Sequence, residues 1–177
     1  MDSINKNQPE KNHENLSNTE AKSKLKELAD KKTCFFNTEN GLGESTGVRP
    51  MSVQKIDEDG NFWFLSAVDS HKNLEISTNS NVRLFFQGSN HSDFLFIEGK
   101  ASITLDKTVI KDLWEPLLKT WFTEGENDSR ISAIRVTPDS GYYWDNKHGN
   151  AVAGVKMLIG AAIGKTLDDS IEGKINV

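Results

Sequence analysis

The sequence predicts a mainly β protein of the α+β class, an antiparallel barrel, closed or partly closed, with peripheral helices. Three observations predict it. Five to seven short strand-like runs fill the middle of the chain, and the helical patterns lie towards its ends. No alternation of strands and helices is present, which disfavours a parallel Rossmann sheet. The 177 residues suffice for one well-cored domain and are too few for two ordinary ones.

The N-terminal segment is polar and precedes a helix. Residues 1–15 bury too little apolar surface to order themselves, so we expect a disordered tail there and a single domain at 16–177. Ser17 and Glu20 have capping-box spacing, which predicts a helix that begins near Ser17 or Thr19 and continues to about Asp30. The apolar residues of this helix recur at helical spacing: Ala21, Leu25, Leu28 and Ala29.

The next hundred residues are predicted to be mainly strands. Asp59-Gly60 predicts a hairpin turn between two of them. Pro50 has no amide hydrogen, so its strand should lie at a sheet edge or be bulged there. The clearest period of two is at 94–105, where one face is apolar and the other mostly polar. The predicted strands are 33–38, 47–56, 61–67, 81–86 and 94–105.

The period changes after residue 105. Val109, Leu113, Leu117 and Trp121 are spaced by four and predict a helix, which Pro116 should kink or divide. A loop, two strands, a C-terminal helix and a short final strand follow, and their predicted ranges are 123–129, 131–138, 141–145, 151–162 and 173–177.

Composition excludes several classes of function. The net charge of −5 disfavours a general nucleic-acid surface. The apolar run 157–163 is too short to span a membrane, and the N-terminus lacks the apolar core of a signal peptide. The single Cys34 cannot form an internal disulfide, so a reducing, cytoplasmic location is expected. The histidines lack metal-ligand spacing, and no P-loop or hydrolase elbow is present.

Two cations lie where strands end. Arg49 interrupts an otherwise apolar strand, and Lys72 follows the strand 61–67 at the predicted start of a short helix. Arginine offers a bidentate fork and lysine a point charge to an anion, and the helix amides near Ser70 add donors. The alternative, which composition alone favours, is that Arg49 pairs with a surface carboxylate and Lys72 is merely solvated.

A set of ordered motifs favours the anion-binding interpretation of Arg49 and Lys72. RPM, FWFLSA, HKNLEI, NVRLFF, FIEGKAS and LWEPLLKTWFTEG…YYWD occur in this order between residues 49 and 145. Together they resemble the pyridoxamine-phosphate-oxidase-like proteins, and within them the general stress protein 26 branch. The resemblance covers roughly residues 20–177.

The resemblance implies a split β-barrel homodimer that binds one FMN at each of two subunit-interface sites. It assigns the phosphate to Arg49 and to a clamp at His71 and Lys72, and it assigns a hydroxyl contact to Ser66. Trp144 would cover the flavin ring from the partner subunit, or else belong to the core. The complete set of implied cofactor-binding residues is Arg49, Pro50, Met51, Ser52, Val53, Gln54, Leu65, Ser66, His71, Lys72 and Trp144.

The chain also departs from the family pattern. His71 replaces a permanent cation, and Leu65 replaces an aromatic hydroxyl. Gln54 stands where true pyridoxamine-phosphate oxidases usually carry lysine, and the chain ends without their Arg/His signature for substrate phosphate. We therefore do not expect pyridoxamine phosphate to be the substrate. Phe94 and Phe96 share the otherwise polar face of their strand, which would suit a subunit interface.

The function that follows from the resemblance is an FMN-dependent oxidoreductase of the stress response. It would use a small-molecule electron donor or acceptor and no catalytic side chain of its own. Three alternatives stay open at this point: a flavin-binding module or sensor without turnover, a barrel that holds deazaflavin or haem, and a dimeric barrel without a cofactor.

Overall fold

A split, mainly antiparallel sheet forms the body of the protein. The computed structural model describes residues 11–89, 92–163, 167 and 169–177. Its strands are β1 (Leu16–Ser17), β2 (Thr33–Glu39), β3 (Ser45–Ser52), β4 (Lys55–Ile56), β5 (Phe62–Ala67), β6 (Asn81–Gln87), β7 (Phe94–Thr104), β8 (Ile131–Asn146) and β9 (Ser170–Asn176). Its helices are α1 (Asn18–Ala29), α2 (His71–Thr78), α3 (Lys107–Leu113) and α4 (Asn150–Ile163), with 3₁₀ turns at Pro116–Thr120 and Gly125–Asn127.

The strand order is β1-β9-β8-β7-β6-β2-β3, and β5 joins it by pairing with both β8 and β4. Every pair is antiparallel except β1 with β9. Within the segment 45–56, β3 pairs with β2 and β4 pairs with β5, so this segment connects the two parts of the sheet at the gap between β3 and β5. The sheet curls into an incompletely closed barrel, which confirms the expected fold class. Pro50 lies in the edge strand β3, as predicted.

Strand β8 is one continuous strand where the sequence predicts two. It pairs with β7 on one side, and on the other side its first part pairs with β5 and its last part with β9. The register of β7 with β8 shifts between Glu98 and Gly99, opposite Pro138 and Ser140. A Cβ atom at Gly99 would lie 2.4 Å from the Thr137 carbonyl oxygen, so glycine permits this close approach.

The barrel interior is the main core, and α1 covers it. The predicted stripe is confirmed, because Ala21, Leu25, Leu28 and Ala29 are all at most 2% exposed. Burying each leucine stabilises the fold by about 1.5–3 kcal/mol. The expected capping box is not formed, since Ser17 makes no side-chain cap hydrogen bond. A second apolar cluster lies under α3, on the other face of β5.

The predicted helix after residue 106 is divided, as Pro116 indicates. Helix α3 ends at Leu113, and the chain continues from Pro116 as a 3₁₀ turn. Leu113 is buried, but Leu117 is 74% exposed and Trp121 63% exposed, so the predicted apolar face is wrong beyond Pro116. The reason is geometric, because three residues per turn do not keep a spacing of four on one face.

The segment before α1 lies against the sheet. Glu172 donates its backbone N–H to the Asn12 carbonyl (3.0 Å), and Glu14 donates its own to the Glu172 carbonyl (2.9 Å). Gly173 leaves room for this pairing, because a Cβ there would lie 1.7 Å from the Glu14 carbonyl oxygen. The expected disordered tail at 1–15 is therefore corrected at residues 12–15, and residues 1–10 lie outside the described part of the chain.

Helix α4 is tied to the loop before β9 by a buried carboxylate. Asp169 accepts hydrogen bonds from the His148 ring (2.7 Å) and from Lys156 Nζ (2.6 Å). Burial acts to raise the pKa of Asp169, but these partners lower it to about 2. Among the described residues, no helix is both long enough and apolar enough to cross a membrane.

Candidate anion-binding site

Two predicted site residues face the barrel interior at the gap between β3 and β5. Arg49 pairs across the sheet with Phe36, and Ser66 follows Phe64 on the same face of β5. Directly opposed residues in an antiparallel pair share a face, as do alternate residues in a strand. The Phe36 and Phe64 rings meet edge to face at 5.3 Å, which confirms that both faces point inward.

The Arg49 guanidinium is held by two acceptors. Its Nη1 donates to Glu75 Oε2 at 2.7 Å and to Thr38 Oγ1 at 3.4 Å, and the side chain is 24% exposed. Gly47 makes room for it, because a Cβ built there would lie 1.8 Å from Nη2 and 2.9 Å from Cζ. The guanidinium thus lies directly over the backbone of its own strand, two residues away.

Lys72 reaches the same region from the first turn of α2. Its Nζ donates to Ser66 Oγ at 2.5 Å, and Ser66 Oγ lies 3.0 Å from Ser70 Oγ. Burial lowers the pKa of Lys72, and the nearby positive charge of Arg49 lowers it further. Lys72 is therefore half-buried rather than merely solvated, and it shares its surroundings with a second cation.

Buried polar contacts position the start of α2. Ser70 caps the helix by accepting from the Asn73 amide. The buried Asn73 side chain donates to Ser132 Oγ at 2.7 Å, and Ser132 Oγ donates to the Ser66 carbonyl at 3.1 Å. This chain of bonds links α2, β8 and β5, so Lys72 contacts Ser66 in a defined orientation.

Glu75 completes the cluster. Its Oε2 accepts from Arg49 and from Thr38 Oγ1, the latter at 2.6 Å. Burial acts to raise the pKa of Glu75, but these hydrogen bonds and the charges of Arg49 and His71 lower it. The ion pair with Arg49 is the contact that composition alone favours for this arginine. Arg49, Lys72 and Glu75 together form a compact site of two cations and one carboxylate.

Sequence reasoning missed Glu75, Thr38 and Gly47. Gly47 could have been found, because it lies two residues from Arg49 and hence on the same face of β3. Glu75 lies three residues after Lys72, on the same side of a helix. Thr38 carries no such signal, because it reaches the site only through its pairing with Gly47 across β2 and β3.

The other predicted residues lie around this cluster rather than in it. The Leu65 side chain belongs to the apolar cluster under α3, on the opposite face of β5 from Ser66. His71 is exposed at the start of α2. Met51 and Val53 contribute to the barrel core. Ser52, which is exposed, has its Oγ 3.3 Å from Thr33 Oγ1.

Gln54 is buried beside the bend between β3 and β4. Its Nε2 donates to the Ser52 carbonyl at 3.1 Å, and its backbone N–H donates to the Trp63 carbonyl. Its Oε1 has no hydrogen-bond partner among the described residues. A buried amide oxygen without a donor is costly, so this atom is a candidate to accept a hydrogen bond from a ligand.

The outer surface of the sheet carries an aromatic groove of about 430 Å³. Phe35, Phe85 and Phe96 adjoin one another across three strands, and the Phe85 and Phe96 ring centroids are 5.1 Å apart. Trp144 lies 4.5 Å from the Tyr142 ring and is 43% exposed, so it is not a core residue. We define the outer aromatic face as Phe35, Pro50, Phe85, Phe94, Phe96 and Trp144.

This face includes Phe94 and Phe96, which the sequence assigns to a possible subunit interface. Phe35 is 59% exposed and Phe85 43% exposed, so neither is core. Across the described part of the chain, no group of three or more His, Cys, Asp or Glu side chains could hold a metal ion.

Comparison with known proteins shows a family. Residues 20–168 match the model of the family described as pyridoxamine 5'-phosphate oxidase like. In the curated proteins, Protein bli-3 of Neurospora crassa is 26% identical over 88 residues. That match covers 45% of this chain and spans only 42% of the length of the relative.

Solved structures share the fold. A protein from Jannaschia sp. CCS1 described as a general stress protein 26 has a TM-score of 0.72 and 17% identity, over 86% of this chain and 95% of its own. The General Stress Protein 26 from Bacillus anthracis str. Sterne has a TM-score of 0.60 and 25% identity, over 69% and 92%. A protein from Xanthomonas citri named general stress FMN/FAD binding protein has a TM-score of 0.57 and 23% identity, over 68% and 84%.

Proposed function

Because the chain belongs to the pyridoxamine 5'-phosphate oxidase-like family, we propose that it binds FMN and acts as an FMN-dependent oxidoreductase in a stress response. The single observation that carries this proposal is the convergence of Arg49, Lys72 and Ser66 on one inner face at the gap in the barrel. The name of the Xanthomonas citri protein, which shares the fold, agrees with a flavin ligand.

The described residues fit a flavin phosphate. Arg49 supplies a guanidinium whose Nη2 lies over the open backbone of Gly47, and Lys72 supplies a half-buried ammonium. Ser66 and Ser70 add hydroxyl groups, and the N-terminal end of α2 adds the positive end of a helix dipole. Phosphate oxygens accept several charge-assisted hydrogen bonds at once, which matches this set of donors.

The ring portion would lie near the segment that follows Arg49. The buried Gln54 Oε1 could accept a hydrogen bond from a ring N–H, and this contact would remove the cost of its missing partner. Bound FMN would supply hydride or electron transfer, while the protein binds, orients and shields it. Gln54 in place of lysine supports a substrate other than pyridoxamine phosphate.

A homodimer is part of the proposal. The outer aromatic face is too apolar to suit a permanently solvated surface, and a second copy of the chain would bury it. Trp144 lies on this face, and we propose that it covers the flavin that the partner subunit binds. A reducing, cytoplasmic location also belongs to the proposal, because Cys34 is buried and unpaired.

FMN titration of the purified protein tests the proposal. Wild type should quench FMN fluorescence and give a protein-bound flavin spectrum. The Arg49→Ala/Lys72→Ala double variant should weaken FMN binding by about 100-fold, since two charge-assisted contacts are lost. Lys111→Ala, which removes a cation from an exposed ion pair on α3, is the matched control and should bind FMN like wild type.

The outcomes separate the candidate functions. Wild-type protein that takes up no FMN contradicts the proposal, and tight binding of deazaflavin or haem in its place would support those ligands. Wild type that binds FMN should lose its visible flavin absorption when NADH or NADPH is added anaerobically. Bound FMN that neither nucleotide nor a chemical acceptor can turn over indicates a flavin-binding module without catalysis.

A further inference from the structure

Glu75 lies where a phosphate would meet Arg49. Its carboxylate accepts from Arg49 Nη1 at 2.7 Å and from Thr38 at 2.6 Å, and its side chain is 22% exposed. Glu75 Oε1 also lies 3.4 Å from the position that a Cβ on Gly47 would occupy. The carboxylate and the guanidinium therefore share the space over Gly47, at the predicted phosphate site.

We propose that Glu75 is an internal counter-ion that lowers the affinity of this site for phosphate and thereby sets how readily FMN is released. The inference rests on the proposed function, because it assigns a role to Glu75 only towards the flavin phosphate. It names Glu75 as an affinity-determining residue, outside the set that holds the cofactor.

The charges of the site support this role. Arg49 and Lys72 contribute two positive charges, and the ionised Glu75 reduces their sum to one. A flavin phosphate carries nearly two negative charges near neutral pH. It must therefore either displace the carboxylate from Arg49 or bind beside it, and both alternatives cost affinity through a lost ion pair or through like-charge repulsion.

Without ligand, the same carboxylate offsets the repulsion between the two cations. Arg49 and Lys72 are close enough for the charge of one to lower the pKa of the other. Glu75 attracts both Arg49 and Lys72. Glu75 therefore offsets the repulsion between Arg49 and Lys72 when no ligand is bound, and a bound phosphate would offset it in the complex.

A different role for Glu75 would have the opposite effect on the affinity for FMN. If Glu75 served mainly to orient Arg49 for the phosphate, removing its charge would weaken FMN binding. The geometry favours the counter-ion, because Glu75 and Thr38 engage only Nη1, and Nη2 lies in the space that the missing Cβ of Gly47 leaves open.

Glu75→Gln separates the two roles, because the amide keeps the length and an acceptor oxygen but removes the charge. We expect its dissociation constant for FMN at pH 7.5 to be about 3- to 10-fold lower than that of wild type. Riboflavin, which has no phosphate, should bind both proteins equally. The difference for FMN should shrink as salt is added, because the site is partly exposed. Glu75→Asp, which keeps the charge, should remain within about twofold of wild type.

Three results would overturn the inference: unchanged or weaker FMN binding by Glu75→Gln, an equal gain for riboflavin, or an equal gain in Glu75→Asp. Glu75→Met provides a second neutral side chain of similar length if the glutamine variant does not fold. Failure of the proposed function is recognised separately, because it would show as wild-type protein that binds no FMN.

Discussion

At the scale of single residues, the site depends on a glycine as much as on its cations. Gly47 and Arg49 alternate on one face of β3, and the guanidinium lies in the space that a Cβ atom on Gly47 would take. Lys72 is held by the hydroxyl of Ser66. Arginine and lysine are common on protein surfaces. What distinguishes Arg49 and Lys72 is that Gly47 leaves space for the guanidinium and that the buried Ser66 hydroxyl accepts from the ammonium.

Gly47→Ala should therefore weaken FMN binding on the order of 10-fold, because the methyl group forces the Arg49 guanidinium from its position. The free energy of unfolding should change by less than about 1 kcal/mol, since the displaced atoms end a flexible side chain. FMN titration and urea denaturation measure the two effects. Gly41→Ala is the control, because a Cβ there meets nothing within 4 Å. Unchanged FMN affinity in Gly47→Ala would contradict the assigned phosphate position.

At the scale of elements, helix α2 acts as a support for the site. It is short, and its docking depends on buried polar contacts: Asn73 with Ser132, and Ser132 with the Ser66 carbonyl. Ile76 adds an apolar contact with the main core. Lys72 and Glu75 both belong to α2, whereas Arg49 belongs to β3. Any shift of this helix therefore changes the distances from Arg49 to Lys72 and to Glu75.

Asn73→Ala should lower the free energy of unfolding by about 1–3 kcal/mol, because it leaves the buried Ser132 hydroxyl with one partner fewer. FMN affinity should fall as well, since Lys72 loses its defined orientation. Ser132→Ala should also destabilise, and the double variant should cost less than the sum of the two single variants. Urea unfolding of all four proteins measures this coupling. Strict additivity would show that the Asn73–Ser132 bond does not dock α2.

At the scale of the whole molecule, the sheet has two different faces at β2, β3 and β6. The inner face carries the core and the charged site, and the outer aromatic face carries exposed rings from β2, β6 and β8 and partly exposed rings from β7. Pro50 lies on the outer face next to Arg49 on the inner one, so a single strand connects the two surfaces. A second chain on the outer face would thus be a direct neighbour of the phosphate site.

Phe85→Glu should convert the proposed dimer into monomers, because it places a charge in the middle of the outer aromatic face. Light scattering after size exclusion should show wild type at twice the 19.8 kDa chain mass and the variant near that mass. FMN binding should weaken with dissociation. Leu117→Glu, at a 74% exposed position on the 3₁₀ turn, should remain dimeric. Monomeric wild type at micromolar concentration would contradict the proposed assembly.

The sequence by itself determined the features that depend on local chemistry. These are the strands with a period of two, the buried stripe of α1, the edge position of Pro50 and the division of the late helix at Pro116. Each follows from backbone geometry or from the spacing of apolar residues, which a short stretch of chain contains. The order of motifs also indicated the family and proposed Arg49 and Lys72 as one site.

Only the tertiary structure decided which groups meet. Glu75 and Thr38 are 26 and 11 residues from Arg49, and the register of β2 with β3 and the docking of α2 bring them to it. The same three-dimensional relations turned the Leu65 side chain away from Ser66 and exposed Trp121. The reason is physical: which distant polar groups become partners depends on the packing of the whole chain, and no local pattern contains that information.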